Sequence, residues 1–361
     1  MPTIKRTPSE KRTRIDLLLD DETSASHLTV IDLPMRVGSL VVRCGGIAGV
    51  STDREQRNKG YARRVLEDSI AFMRGEGYHL SALFGISDFY PKFGFASALV
   101  ECTTELLTRY AERAQPHYAV REFHPADAPA VTAMYESLHG AQTGTIVRTP
   151  ADWKHFRRGS RWSDRVSAFV VLDGDEIIGY ASYDLDPSSC AVAEVGYANP
   201  AVFSTILARA AQIAWERRTE KITFYATPDD PFVRHCRRHG CDVRVGYPCS
   251  SGGMARVICQ GALLDVLHPL LAERLAQHLD GWEGTVTLST DLGVDRLTFG
   301  SIRTEVFAEM PQWMLAQLVL GYRSADEIAA ESEARIDEEA LPVLRGLFPE
   351  GYPFIYCSDR F

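Results

Sequence analysis

The chain has 361 residues, of which 45% are hydrophobic and 24% charged, and its formal net charge is −9. That length exceeds one ordinary domain and predicts two or three, with the composition of a soluble globular protein. The negative balance argues against a nucleic-acid binder held by phosphate contacts. No run approaches ~18 apolar residues, so no membrane span is expected. The basic start, MPTIKRTPSEKRTR, has no apolar stretch behind it and does not read as a secretory signal. Eight scattered cysteines fit reduced, mostly buried thiols and a cytoplasmic protein.

In chain order, residues 14–19 predict a short strand and 27–37 a second, with Pro34 marking an edge or bend. A third strand, 39–50, contains Gly45, Gly46 and Gly49, a pattern that signals a bulge or a close backbone approach. Residues 61–74 repeat apolar side chains at helical spacing (Ala62, Val65, Leu66, Ile70, Met73), and Gly75 and Gly77 end the helix. Residues 80–84 and 100–107 predict further strands, so the segment reads as a βαβ unit. From residue 116 a similar plan restarts: a strand at 118–123, a helix from Asp127, and a hairpin turning at Asp173-Gly174. A strand at 190–197, a helix opened by Pro200, a strand at 222–226, a short helix stopped by Gly240 and a strand at 241–245 follow. This predicts an internal structural duplication. The last hundred residues predict an α+β domain with helices near 263–279, 311–320, 324–328 and 338–344 and strands at 284–289 and 295–299. The ending contains Phe354, Ile355, Tyr356 and Phe361, too apolar to dangle, so it is expected to pack to its last residue.

The turn Arg57-Asn58-Lys59-Gly60-Tyr61-Ala62 lies between a glycine-broken strand and a helix. Successive N–H groups at such a helix start bind phosphate oxygens, aided by the helix dipole. Gly60 lets the backbone approach, Ala62 keeps the first turn uncrowded, and Arg57 and Lys59 add positive charge. The pattern R-x-x-G-x-A in this setting resembles the acetyl-CoA signature of the GNAT acetyltransferase superfamily. Four patterns, RNKGYA, FYPKFGFASA, LVLGYRSADEI and LFPEGYPFIYCSDRF, narrow the resemblance to Eis-like (enhanced intracellular survival) acetyltransferases.

That resemblance implies an α/β and α+β chain. It has two tandem GNAT folds, each a mixed sheet flanked by helices, and a C-terminal α+β domain like a sterol carrier protein. The expected boundaries are 1–115, 116–260 and 261–361. Tyr90 stands where the family has its catalytic tyrosine; a phenol with a reference pKa of ~10 can protonate a leaving thiolate. The α-carboxylate of Phe361, with a reference pKa of ~3.5, is the implied general base. Val50, Ser51 and Thr52 are expected to pair with the pantetheine amides, and Gly85 and Ile86 to flank the arm from the other side. Arg57, Asn58, Lys59, Gly60, Tyr61, Ala62 and Arg63 are the expected pyrophosphate site.

The second repeat has Ala198-Asn199-Pro200 in place of the signature and is expected to bind no cofactor. The stretch His235 to Cys241 has poor ligand spacing for zinc, and no metal is expected. A GNAT domain opens with a strand and two helices. Here the hairpin begins near Arg14, so that opening is absent or shortened. The implied reaction is acetyl transfer from acetyl-CoA to a primary amine of a cationic small molecule such as an aminoglycoside. The implied assembly is a homo-oligomer, a hexamer in the family, with no nucleic-acid or membrane partner. The alternative is a catalytically weak acetyl-CoA sensor, or an apolar-ligand binder using the C-terminal domain.

Overall fold

The computed structural model describes residues 2–162, 165–301 and 304–361. The chain forms two compact units. One comprises Met1–Val100, Tyr247–Pro353 and Phe361; the other comprises Glu101–Gly246 and Phe354–Arg360. Among the described residues no helix is long and apolar enough to cross a membrane.

The first unit opens with β1 (Thr3–Ser9), β2 (Arg12–Leu18), β3 (Ser24–Val37) and β4 (Leu40–Thr52), an antiparallel meander. Helix α1 (Tyr61–Gly75) then crosses to β5 (Leu80–Phe84), which pairs parallel to β4. Buried Val65, Leu66 and Met73 of α1 share a core with Leu28, Val30 and Ile47 of the sheet. The two-residue β6 (Ala96–Ser97) lies at the far edge. A strand from much later in the chain, Gly253–Val257, enters antiparallel between β5 and β6. The chain ends that flank the second unit meet there, since Ala98 N–H and Leu99 N–H both donate to Gly253 O, at 3.0 and 3.2 Å.

Two sequence expectations change in this sheet. The opening strand is present as β1, paired with β2 from Thr3↔Leu18 to Ser9↔Arg12, and only Glu10 and Lys11 lie between the two strands. A tight turn therefore stands where the resemblance implies two helices. Nearly every β1 residue is exposed, so the strand carries no apolar alternation by which to recognise it. Pro34 sits inside the long β3 rather than on an edge strand. The β2 ladder ends at Ile31, so Pro34 has a strand partner, Arg43, on one side only. A missing N–H is tolerated there.

The second unit contains β7 (Glu101–Leu107), α2 (Thr108–Ala111), β8 (Ala119–Glu122), α3 (Ala128–His139), β9 (Val166–Asp173) and β10 (Glu176–Asp184). It continues with β11 (Ala191–Tyr197), α4 (Phe203–Glu216), β12 (Lys221–Phe224), α5 (Pro231–Cys236) and β13 (Cys241–Gly246). Its sheet runs β13-β7-β12-β11-β10-β9-β8. β11 is buried along its whole length and lies parallel to β12, while the β9–β10 hairpin turns at Gly174 with φ 59°. The sequence reading grouped residues 100–107 with the first domain and ended that domain at 115. Instead β7 pairs antiparallel to both β12 and β13, and the units divide at Val100/Glu101 and Gly246/Tyr247 rather than at 115/116 and 260/261. The alternating burial of β7 marks it as a strand but cannot say which sheet it joins.

After β14 (Gly253–Val257), the chain runs through α6 (Gln260–His278), β15 (Gly284–Thr290), β16 (Gly293–Phe299) and β17 (Glu305–Glu309). Then come α7 (Gln312–Leu320), α8 (Ala325–Ala329), β18 (Arg335–Ile336) and α9 (Ala340–Leu347). The third, smaller sheet has the order β16-β15-β17-β18. Together these make a mixed α/β protein with two large sheets and a smaller C-terminal sheet.

Helix α7 repairs a defect left by the short β6. That strand pairs only Met254 and Ala255, so Val257 N–H lacks a strand partner on its β6 side. The buried Gln312 side chain accepts from Val257 N–H at 2.9 Å and donates to Gly94 O at 2.6 Å. Gln317 similarly donates to Ser97 O at 2.7 Å. Replacing Gln312 by Leu would leave two backbone groups unpaired in a buried site. The expected loss is about 2–4 kcal/mol. Urea unfolding should show it as a lower midpoint at unchanged slope.

Candidate functional site

Strands β4 and β5 are hydrogen-bonded partners only at Cys44↔Leu80, Gly45↔Ser81 and Gly46↔Ala82. Beyond Gly46, β4 runs on to Thr52 without pairing to β5, so the two parallel strands fork. The cause is in β4. A register shift against β3 falls between His27 and Thr29, opposite Gly49, whose φ is +61°. An extra residue there turns the strand out of the sheet, and only glycine takes that φ without strain. Val50, Ser51 and Thr52 form the freed arm of the fork. Their other edge is held by β3, where Ser26 Oγ donates to Ser51 O at 3.0 Å and meets Thr52 Oγ1 at 2.9 Å.

From Thr52 the chain enters a 3₁₀ turn, Arg54–Gln56, and then the basic loop. Asn58 and Gly60 both adopt positive φ, 64° and 77°. Gly60 is the N-cap of α1, with no side-chain cap and no acidic residue in the first turn. Its carbonyl takes the first helical bond, from Arg64 N–H at 3.2 Å. The N–H groups of Tyr61, Ala62 and Arg63 precede that bond and have no intrahelical acceptor. Arg57, Asn58, Lys59 and Gly60 are exposed, and nothing lies within 4 Å of where a Gly60 Cβ would stand. Lys59 Nζ donates to Gln56 Oε1 at 2.8 Å, and Arg63 pairs loosely with Glu67 at 3.6 Å. An uncapped helix start with free donors and surrounding cations suits an anion such as a pyrophosphate. These features fit the phosphate end of acetyl-CoA, and the fork fits its extended amide arm.

The end of β5 carries the other predicted residues. Gly85 is tied down by the loop before β14: its N–H donates to Gly252 O at 3.3 Å and its carbonyl accepts from Ser251 N–H at 2.7 Å. Both Gly85 groups are thereby satisfied within the protein, and the next residue, Ile86, is exposed. Tyr90 opens the 3₁₀ turn Tyr90–Phe93, and its ring covers the Cα of Gly85, where a Cβ would overlap Tyr90 Cδ2 and Cε2. Phe89 and Phe95 flank it edge-on, with ring centroids at 5.1 and 6.4 Å. Burial pushes the Tyr90 phenol above its ordinary value, so it holds its proton throughout the neutral range.

Phe361 belongs to the same unit. Its ring meets Phe84 edge-on at 5.8 Å and lies over Gly46, where a Cβ would stand 2.8 Å from Phe361 Cε2. Tyr90 and Phe361 thus rest on consecutive residues, Gly85 and Phe84, at the end of β5. The fold brings together residues separated by most of the chain. Sequence reasoning missed the seat itself, Gly46 and Phe84, although Gly46 stood out as a glycine inside a strand. It also missed Ser251 and Gly252, for which no local signal exists.

A cavity of about 580 Å3, lined by Arg161, Asp184, Arg217, Lys221 and Tyr225 among others, lies within the second unit. It contains none of the predicted site residues. No group of three or more potential metal ligands occurs among the described residues.

No curated protein matches this sequence. Residues 4–98 match a family model described as an acetyltransferase (GNAT) domain. Solved structures resemble nearly the whole chain. A probable N-acyltransferase from Enterococcus faecalis V583 has a TM-score of 0.75 at 16% identity, covering 97% of this chain and 90% of that one. A GCN5-related N-acetyltransferase from Kribbella flavida has a TM-score of 0.74 at 18% identity, covering 96% and 87%. Eis1 from Mycobacterium abscessus has a TM-score of 0.65 at 15% identity, covering 96% and 91%. At these identities the structural likeness speaks to the fold, while the matched segment holds the bulged β4, the basic loop, α1, β5 and Tyr90. The chain therefore carries an acetyltransferase (GNAT) domain at residues 4–98, which makes it an acetyltransferase and implies acetyl-CoA as co-substrate.

Proposed function

We propose that the chain transfers an acetyl group directly from acetyl-CoA to a primary amine of a small cationic molecule, with Tyr90 as general acid and the Phe361 carboxylate as general base. The observation that carries this reading is the seating of Tyr90 and Phe361 on Gly85 and Phe84 where β4 and β5 part. Tyr61, Ala62 and Arg63 N–H groups would hold the pyrophosphate, with Arg57 and Lys59 adding charge, and Val50 to Thr52 would pair with the amide arm. Acetyl-CoA supplies an activated thioester. Tyr90 gives its proton to the departing sulfur as the carbon–sulfur bond breaks. The Phe361 carboxylate attracts the ammonium form of the acceptor and takes one proton from it, which frees the lone pair that forms the new carbon–nitrogen bond; the second proton leaves the nitrogen after attack and offsets the one Tyr90 gives to sulfur and regains from solvent.

The opening turn at Glu10 and Lys11 removes two helices that would otherwise wall the acceptor side. This supports an acceptor site broader than that of a GNAT domain with its full opening, and an aminoglycoside-like polyamine fits that class. The same reading takes the second unit's fold as a degenerate GNAT copy, the C-terminal sheet as sterol-carrier-like, and the assembly as a symmetric homo-oligomer, a hexamer by family resemblance.

CoA release with an amine panel tests the roles. Tyr90→Phe is expected to lower kcat about 100-fold with KM for acetyl-CoA little changed. Because burial raises the phenol, native activity should not fall between pH 7 and 9 through Tyr90 ionisation, and the loss in Tyr90→Phe should be constant across that window. A few residues appended after Phe361 move the carboxylate and are expected to abolish turnover while CoA still binds; full activity in that variant would refute the base assignment. Gly46→Ala should displace the Phe361 ring and lower kcat about 10-fold, with CoA affinity retained.

A further inference from the structure

The 3₁₀ turn that carries Tyr90 ends at Gly94, which takes a left-handed φ of 75° and leads the chain toward β6. The turn's own bonds are few. Gly94 N–H donates to Pro91 O at 2.9 Å, while Lys92 N–H to Phe89 O and Phe95 N–H to Tyr90 O are long, at 3.3 and 3.4 Å. Two side chains from much later in the chain hold its far end. Arg256 Nη1 of β14 donates to Phe93 O, and Gln312 Nε2 of α7 donates to Gly94 O at 2.6 Å. Both crowd Gly94, where a Cβ would overlap Gln312 Nε2 and Arg256 Nη1, so only glycine leaves room for the pair.

Arg256 is out of keeping with its surroundings. Met254 and Ile258, two positions to either side, are buried in the core that also holds Phe93 and Phe95, and Arg256 interrupts that apolar series with a guanidinium. Its Nε is buried without a hydrogen-bond partner, and burial pushes the group below its ordinary value. Asp291, the carboxylate that acts on its charge, is bonded instead to Gln312 N–H at 2.6 Å. A half-buried cation without a bonded carboxylate is costly, and a neutral amide would satisfy a carbonyl at less cost, as Gln312 does for Gly94. The guanidinium adds a stronger, charge-assisted bond from a planar donor set, which fixes direction as well as depth.

We propose that Arg256 is a positioning residue for the reaction: its bond to Phe93 O, beside that of Gln312 to Gly94 O, fixes the turn and thereby sets where Tyr90 presents its phenol. The proposal rests on the reading of Tyr90 as general acid, and every residue in it belongs to the first unit. Phe95 follows Gly94 directly and flanks the Tyr90 ring, so moving the Phe93 and Gly94 carbonyls shifts the wall against which that ring packs. Proton transfer needs the phenol within hydrogen-bond reach of the sulfur, and a misplacement of about 1 Å costs on the order of 100-fold in rate.

Arg256→Met in the full-length protein tests this, since it removes the bond while an apolar stem still fills the site. The expected result is a kcat lowered about 10- to 100-fold, with KM for acetyl-CoA and CoA affinity within about twofold of native. In a Tyr90→Phe background the same substitution is expected to cost less than about twofold more, because no phenol remains to be positioned. A merely structural role would instead lower CoA affinity along with kcat and cost the same factor with or without the Tyr90 hydroxyl. That outcome, or native kcat in a folded Arg256→Met protein, would overturn the proposal. Arg256→Lys keeps the charge but loses the planar donor set, and it serves if Arg256→Met does not fold. The same selective loss of kcat is expected from it, again without further loss in Tyr90→Phe. Native kcat in Tyr90→Phe alone would instead refute the Tyr90 reading on which the proposal stands.

Discussion

Two parallel strands that stay paired for three residues and then separate are the constraint from which the first unit's chemistry follows. In a continuous sheet the backbone of β4 and β5 would satisfy itself, and no ligand could add to it. The bulge opposite Gly49 spends one residue to break that pairing, leaving the Val50–Thr52 arm able to accept an extended partner. The same chain direction carries β4 straight into the basic loop and the uncapped start of α1. An amide-seeking edge and an anion-seeking helix end therefore lie within a dozen residues. Glycines make the approach possible: Gly45 faces Met73 of α1, and Gly46 faces Leu33 and the ring of Phe361.

The first unit is discontinuous in sequence. Residues 101–246 leave it after Leu99 and Val100 and return before β14, with the two ends joined by backbone hydrogen bonds at Gly253. Insertion is tolerated where chain ends already lie together, because the interrupted fold loses little. The cost appears in the shortness of β6. That cost is met by Gln312 and Gln317 of α7, which supply the polar groups a longer strand would have supplied. The C-terminal domain thus supports the first sheet directly, quite apart from any ligand of its own.

The chain end combines two kinds of restraint. Apolar side chains sink the tail, and a buried network, in which Arg148 bonds both Glu194 of β11 and Asp359, fixes it within the second unit. Glu194 keeps its charge because the guanidinium outweighs the upward push of burial. Asp359, sharing that same cation, does not gain as much. A network so divided is specific but not strongly stabilising.

Much was legible in the sequence where the signal is local. The R-x-x-G-x-A turn, the apolar face of α1, the glycines of β4, the Asp173-Gly174 turn and the apolar ending each report a short-range requirement: a φ sign, a helical period, a side chain that must leave water. These led to the acetyltransferase domain, to most elements of the two large sheets, though not to β1, β6 or β14, and to a packed C-terminus. Tertiary structure alone decided the rest. It assigned β7 to the second sheet, because a period of two defines a strand without naming its partner, and it revealed β14, for which the sequence reading held no expectation. It revealed β1, which is polar and gains its order only from β2. It seated Phe361 on Gly46 and Phe84 and joined Arg148 to Asp359, contacts between residues hundreds of positions apart, for which the sequence holds no periodicity to read.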